Sequence, residues 1–169
     1  LAKASQRTVL PRFNAERQVI EYTEKFYGPA ARHARRLAAN GCEAARALAE
    51  WKRKVVANWP QVTLRLVVGP PAALQAGDGF RLAVAIDLQG LEARDVSVEC
   101  QLGVVDANGK FEVREQHELA PAGERLGAEV IFAAELATGL SGLAALRVRA
   151  WPQHELLAHR FEMGRVRWL

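Results

Sequence analysis

The sequence lacks most of what would announce an activity. Its 169 residues hold only two cysteines, Cys42 and Cys100, in differently built halves. No disulfide framework is expected, and reduced thiols fit a cytoplasmic location. No apolar run approaches the ~18–20 residues of a membrane span, and no apolar core with a small-residue cleavage site opens the chain. The chain begins Leu1-Ala2-Lys3 and its one methionine is Met163, so the expectation is a piece of a longer protein. There is no Gly-x-Gly-x-x-Gly turn and no phosphate loop ending in Gly-Lys-Ser/Thr. Gly139-Leu140-Ser141-Gly142 misses the nucleophile elbow, because Leu143 stands where the second glycine belongs. His154 and His159 are five apart, whereas two imidazoles sharing a zinc on one helical face need a spacing of four. Asp78, Asp87, Asp95 and Asp106 pair with no second carboxylate in the sequence and read as solvated. No catalytic residue, cofactor ligand or metal ligand is assigned within the chain.

What is present is ordinary globular composition, 50% hydrophobic and 25% charged, enough for one domain or two small ones. The charge is uneven. Residues 1–61 hold 12 basic and five acidic side chains, a net of +7, and residues 62–169 hold 11 basic and 14 acidic, a net of −3. Such a change of sign along a chain is a domain-boundary signal.

The basic part reads as three helices. Asn14 is an N-cap whose side-chain oxygen can accept from a first-turn amide. Val19, Tyr22, Thr23 and Phe26 then share one face at spacings of three and four. Gly28-Pro29 ends that helix and Pro29 can open the next. Asn40-Gly41 is a turn or C-cap signal. A third helix runs from about Glu43 to Asn58, with Ala44, Leu48, Trp51 and Val55 as its apolar stripe, and Pro60 stops it by disfavouring helix at Trp59.

From residue 62 the period falls from 3.6 to 2. Val62, Leu64, Leu66 and Val68 form one alternating set, Phe80 to Leu88 a second, and Val96 to Val104 a third, whose other face holds Ser97, Glu99 and Gln101. Asp106-Ala107-Asn108-Gly109 reads as a tight hairpin turn into residues 110–118. Further strands are expected near 126–134, 143–151 and 160–168, broken by Pro70-Pro71, Gly77-Asp78-Gly79, Pro121-Ala122-Gly123 and Gly139–Gly142. About seven short strands with one apolar face each bury that face only if two sheets pack together. The expected class is therefore α+β: helices over 1–61, then an antiparallel, immunoglobulin-like β-sandwich over 62–169.

Two features could bind a ligand. Arg32, Arg35, Arg36, Arg46, Lys52, Arg53 and Lys54 could neutralise phosphates, but Glu43 and Glu50 are interleaved and no nucleic-acid motif accompanies them. A nucleic-acid-binding adaptor is thus the third-ranked reading. Of the four tryptophans, Trp151 lies out of phase with Leu146 and Val148. It is the one candidate for sugar contact; the others read as packed anchors.

Pro11-Arg12-Phe13-Asn14-Ala15-Glu16-Arg17-Gln18-Val19-Ile20-Glu21-Tyr22, followed by Phe26-Tyr27-Gly28-Pro29-Ala30, resembles the last helices of the α-glucan phosphorylases, with Phe-Asn-Thr-x-Arg-Met-Val-x-Glu-Tyr and then Tyr-x-Pro-Ala. Ala15 replaces the threonine and Gln18 the methionine. Ala47–Lys52, Trp59-Pro60-x-Val62, Arg147–His154 and Arg165–Trp168 are similar to the bacterial and archaeal branch that carries a C-terminal extension. The resemblance covers residues 8–169 and is densest at 11–62.

The resemblance implies a parent enzyme that cleaves the terminal α-1,4 bond of glycogen or maltodextrin with phosphate, giving glucose 1-phosphate with pyridoxal phosphate on a lysine. Lys3, Lys25, Lys52, Lys54 and Lys110 do not stand in the family's lysine motif, so cofactor and catalytic groups are expected upstream and the chain is expected to be inactive alone. Its expected partner is the upstream catalytic part of the same chain, which would cover Tyr22, Phe26 and Tyr27 and pair with Arg17 and Glu21. Neither a membrane nor a nucleic acid is an expected partner. The runner-up is a glucan-binding or protein-interaction sandwich.

Overall fold

The computed structural model describes Lys3, Arg7, residues 14–75 and residues 77–169; the Pro11-Arg12-Phe13 part of the N-terminal motif lies outside the described residues. The chain divides into two compact units, Leu1–Ala49 and Glu50–Leu169. The division falls inside a helix, ahead of the change of period at 59–62.

The first unit is helical. Asn14 caps helix α1 (Ala15–Tyr22), its Oδ1 accepting the Arg17 N–H at 2.7 Å. A π-helical turn, Thr23–Tyr27, follows without a break. Helix α2 (Gly28–Asn58) is in effect two helices: Asn40, Gly41 and Cys42 take the left-handed conformation in succession. This is the break that Asn-Gly announces, since both residues tolerate positive φ at low cost. Arg46 Nη1 reaches back to the Gly41 carbonyl at 2.6 Å.

In the second unit, seven antiparallel strands follow the last turns of α2 and a 3-10 turn over Trp59–Gln61. They are β1 (Thr63–Val68), β2 (Gly79–Asp87), β3 (Val96–Val105), β4 (Phe111–Leu126), β5 (Glu129–Ala137), β6 (Ala145–Pro152) and β7 (Arg167–Trp168), in the order β1-β2-β5-β4-β3-β6-β7. Strand β4 is the hinge of the sandwich. Residues Phe111–Leu119 pair with β3 and residues Ala120–Leu126 pair with β5, with the register shifting between Pro121 and Arg125. The two halves of the sheet fold face to face about this strand. Alternating residues fill the interior: Leu82, Val84 and Ile86 of β2, Phe132 of β5, Val98 and Cys100 of β3, and Val148 of β6. Each large apolar side chain buried in this way contributes about 1.5–3 kcal/mol. The Arg167 guanidinium of β7 donates to the Pro60 carbonyl just before β1, which draws the two sheet edges together.

The hairpin turn forms as expected. Asp106 Oδ1 accepts from Asn108 N–H at 2.8 Å and Lys110 N–H at 2.9 Å, and Gly109 takes φ +78°. Gly103 is required at the β3 bulge, because a Cβ there would sit 2.1 Å from the Glu112 carbonyl oxygen.

Several expectations need correction. Gly28-Pro29 does not end the first helix, because Gly28 is itself helical (φ −61°) and α2 begins there without a gap. Leu66 and Val68 of the first alternating set are exposed rather than turned to the core. Pro121-Ala122-Gly123 does not end a strand but forms a bulge within β4. The strand expected over 160–168 is reduced to Arg167–Trp168, because residues 155–163 run in successive turns. Ser97, Glu99 and Gln101, the supposed wet face of β3, are buried, since β3 is closed in on both faces along Val96–Gly103. Asp95 is buried too; it accepts the Trp51 indole N–H at 2.9 Å and the Glu92 N–H at 2.8 Å, with Lys54 Nζ at 3.7 Å.

Candidate functional site

The first candidate surface lies on α1 and the π turn. Tyr22 packs edge-on against Phe26 at 5.7 Å and against Tyr27 at 6.3 Å between ring centroids. The π turn changes the angular spacing that an α-helix would impose and gathers the three rings. None of them is buried: Phe26 is 57% exposed and Tyr27 65%. Val19 and Ile20 are exposed beside them, and α1 has no buried residue. Exposed apolar clusters are more common at interaction sites than elsewhere on a surface, and π turns recur at functional positions. Arg17 and Glu21 pair along α1 at 3.4 Å, with Lys25 3.7 Å from the same carboxylate. These exposed pairs add little stability.

The second candidate is the outer face of the sheet half built from β3, β4 and β6. In register, Ser97 stands opposite Trp151, and Glu99 lies between Glu118 on β4 and Arg149 on β6. Arg149 donates to the Glu99 carboxylate at 2.6–2.8 Å, Gln101 donates to it at 3.0 Å, and Arg160 lies 3.6 Å away. The segment after β6 covers this row. Phe161 packs edge-on against the Trp151 ring at 5.4 Å, and the guanidinium groups of Arg149 and Arg160 lie over it at 5.3 and 5.4 Å. Trp151 is therefore only 4% exposed, its ring packed by its own chain. The phase that set it apart in the sequence is real, yet the face it occupies is closed by residues that no local period connects to it.

Beside Trp151 a cavity of about 380 Å³ opens, lined by Ser97, Glu118, Trp151, Gln153, His154 and Arg160. Of these residues the sequence reading singles out only Trp151 as a ligand contact; it weighs His154 as a zinc ligand and sets it aside, and it does not consider the others for a site. The available signal was the alternation that put Ser97 and Glu118 on one face with Trp151. The His154 ring packs at a tilt against Trp51, 4.8 Å between centroids, and its Nδ1 accepts the Leu156 N–H at 3.1 Å. His159 Nδ1 likewise accepts the Phe161 N–H. The two histidines thus support turns in the segment after β6. Among the described residues no group of three or more histidine, cysteine, aspartate or glutamate side chains could hold a metal ion.

The residues described do not fit pyridoxal phosphate. Lys3 is exposed. Lys25, Lys52 and Lys54 are engaged with Glu21, Glu162 and Asp95, and Lys110 sits exposed in the β3–β4 hairpin. No lysine lines the cavity beside Trp151 or the apolar cleft between the 70–75 and 138–146 loops. No helix among the described residues is long and apolar enough to cross a membrane.

The family described as the glycogen phosphorylase C-terminal domain matches residues 59–169. The chain is 33% identical over 168 residues to a glycogen phosphorylase of Mycobacterium tuberculosis strain H37Rv, which covers 98% of this chain and 20% of that protein. It is 29% identical over 172 residues to a maltodextrin phosphorylase of Thermococcus litoralis, covering 99% of this chain and again 20% of the relative. The chain thus spans about a fifth of the length of these relatives. No solved structure shows a significant match. With two-thirds of its length under that family's pattern, the chain belongs to the glycogen phosphorylase C-terminal domain family.

Proposed function

We propose that the chain is the C-terminal part of a cytoplasmic, pyridoxal-phosphate-dependent α-1,4-glucan phosphorylase and is non-catalytic by itself. In this reading the parent enzyme cleaves glycogen or maltodextrin with phosphate to glucose 1-phosphate. The chain supplies the closing helices and a β-sandwich, and its cofactor and catalytic groups reside upstream. The observation that carries the reading is similarity along nearly the whole chain to enzymes of which it covers a fifth.

The exposed rings of Tyr22, Phe26 and Tyr27 are the surface on which the catalytic part docks. A helix with no buried residue has little tertiary support of its own. A nucleic-acid role finds less support, because Lys52, Arg53 and Lys54 are ion-paired with Glu162, Glu50 and Asp95.

The test is an assay of glucose 1-phosphate after incubating the chain with maltoheptaose, phosphate and pyridoxal phosphate, beside the full-length protein. The full-length protein turns over and the chain does not. Turnover by the chain, with a reducible Schiff base on one of its lysines, overturns the reading.

A further inference from the structure

We infer that the cavity on the outer face of β3, β4 and β6 is a saccharide-binding site, and, resting on the phosphorylase reading, that it takes a segment of α-1,4-glucan.

The polar groups on this face divide into those already bonded and those left free. Glu99 is satisfied by Arg149, Gln101 and Arg160. Glu118, directly opposite it in register, makes no ion pair or side-chain hydrogen bond among the described residues and lines the cavity. Gln153 is held only through its backbone, its N–H donating to the Asp95 carbonyl at 2.8 Å, so its side-chain amide is free. Ser97 is a buried residue whose hydroxyl has no partner among the described residues. His154 accepts through Nδ1, which in the neutral ring puts the proton on Nε2 and makes that nitrogen a donor.

The cavity therefore offers an acceptor in Glu118, donors in His154 and Arg160, and groups of both kinds in Gln153 and Ser97. A sugar hydroxyl is at once donor and acceptor and matches this mixture. A phosphate would face the Glu118 carboxylate, and a metal cation would face Arg160 with one free carboxylate to hold it. At about 380 Å³ the space lies within the ~300–1,000 Å³ of small-ligand sites. Trp151 contributes a wall rather than a stacking platform, because Phe161, Arg149 and Arg160 pack around its ring. The site thus works by hydrogen bonding, with Ser97 and Glu118 on the sheet and Gln153, His154 and Arg160 on the segment after β6.

The experiment titrates the whole chain with maltoheptaose, followed by amide chemical shifts and calorimetry, with cellohexaose as the β-linked comparison. Saturable maltoheptaose binding with shifts centred on Ser97, Glu118 and Gln153 is expected. Combining Glu118→Ala with Gln153→Ala weakens it at least tenfold, with the thermal midpoint unchanged, because neither side chain bonds within the fold. Leu143→Ser, a change at the separate apolar cleft, leaves binding intact. No binding at about 10 mM maltoheptaose, full affinity in the double variant, or equal affinity for cellohexaose overturns the inference. Phosphorolysis by the full-length protein is scored separately. Its absence overturns the phosphorylase reading, and the saccharide site then stands or falls on the binding curve.

Discussion

Replacing Asp95 by alanine removes three interactions at once in the second unit. Oδ1 loses the Trp51 indole N–H at 2.9 Å, and Oδ2 loses both the Glu92 N–H at 2.8 Å and Lys54 Nζ at 3.7 Å. Trp51 is buried, so its N–H is left without a partner, at a cost of about 1–3 kcal/mol. Loss of the cap on the 3-10 turn over Ala93–Asp95 costs about 1 kcal/mol by analogy with helix N-caps. The half-exposed Lys54 pair adds about 0–1 kcal/mol. Together the variant should lose about 2–5 kcal/mol. Asp95→Asn keeps one carbonyl acceptor for two donors and should fall between. Urea denaturation followed by tryptophan fluorescence and far-UV circular dichroism measures both. Combining Asp95→Ala with Trp51→Phe should cost less than the sum of the single changes, by about 1–2 kcal/mol, because the orphaned donor is then absent. An Asp95→Ala variant within about 0.5 kcal/mol of the original, or strict additivity with Trp51→Phe, would refute the clamp between the end of α2 and the start of β3.

Glu99→Ala leaves Arg149 largely buried without its anion and should cost about 3–5 kcal/mol in denaturant. Arg160→Ala removes a half-exposed partner and should cost about 0–1 kcal/mol; equal losses would show that Glu99 is not the centre of the cluster. Burial, with the charge of Glu99 adding to it, pushes the Cys100 thiol up to about 12. A thiol reagent at pH 8 should therefore label the exposed Cys42 at once and Cys100 only on unfolding; matched native rates would contradict the burial of β3. The Lys52 ammonium, hydrogen-bonded to Glu162, holds that carboxyl below the usual carboxylate range despite partial burial, and the Ala158 N–H assists. A lowered carboxyl stabilises the fold above its unfolded value of ~4.3 and loses that contribution as pH falls through the folded one. Stability should then fall more steeply between about pH 5 and pH 3 in the original chain than in Glu162→Gln; parallel curves would remove Glu162 from the acid response.

The elements that local chemistry controls were legible in the sequence. Asn14 as a cap, Asn40-Gly41 as a break, the Asp106–Gly109 turn and the alternating sets of β2 and β3 each depend on residues within a few positions. Of the apolar stripe on α2, Leu48, Trp51 and Val55 are buried as its spacing requires and Ala44 is half-buried. What escaped depends on distant residues. Glu99 and Ser97 alternate like solvent-facing groups, and they are buried because Arg149, some 50 positions on, and the segment after β6 close over them. Asp95 looked solvated because its indole donor lies 44 positions upstream. Pro121-Ala122-Gly123 carries the signature of a turn, yet as a bulge it lets one strand serve both halves of the sandwich. The cavity beside Trp151 was illegible for the same reason: β3, β4 and β6 and the turns after β6 must come together before it exists.

Hydrogen exchange over Ala15–Tyr27, compared between this chain alone and the full-length protein, tests whether the exposed rings are built to be covered by a preceding catalytic part. In the chain alone these amides should exchange much faster than those of β2 and β3, since α1 has no buried residue and Tyr22, Phe26 and Tyr27 lie open. In the full-length protein they should slow at least tenfold, while β2 and β3 stay as they were. Protection equal to the strands in a monomeric chain, or unchanged exchange in the full-length protein, would mean that the helix completes its own core and that no catalytic part docks on these rings.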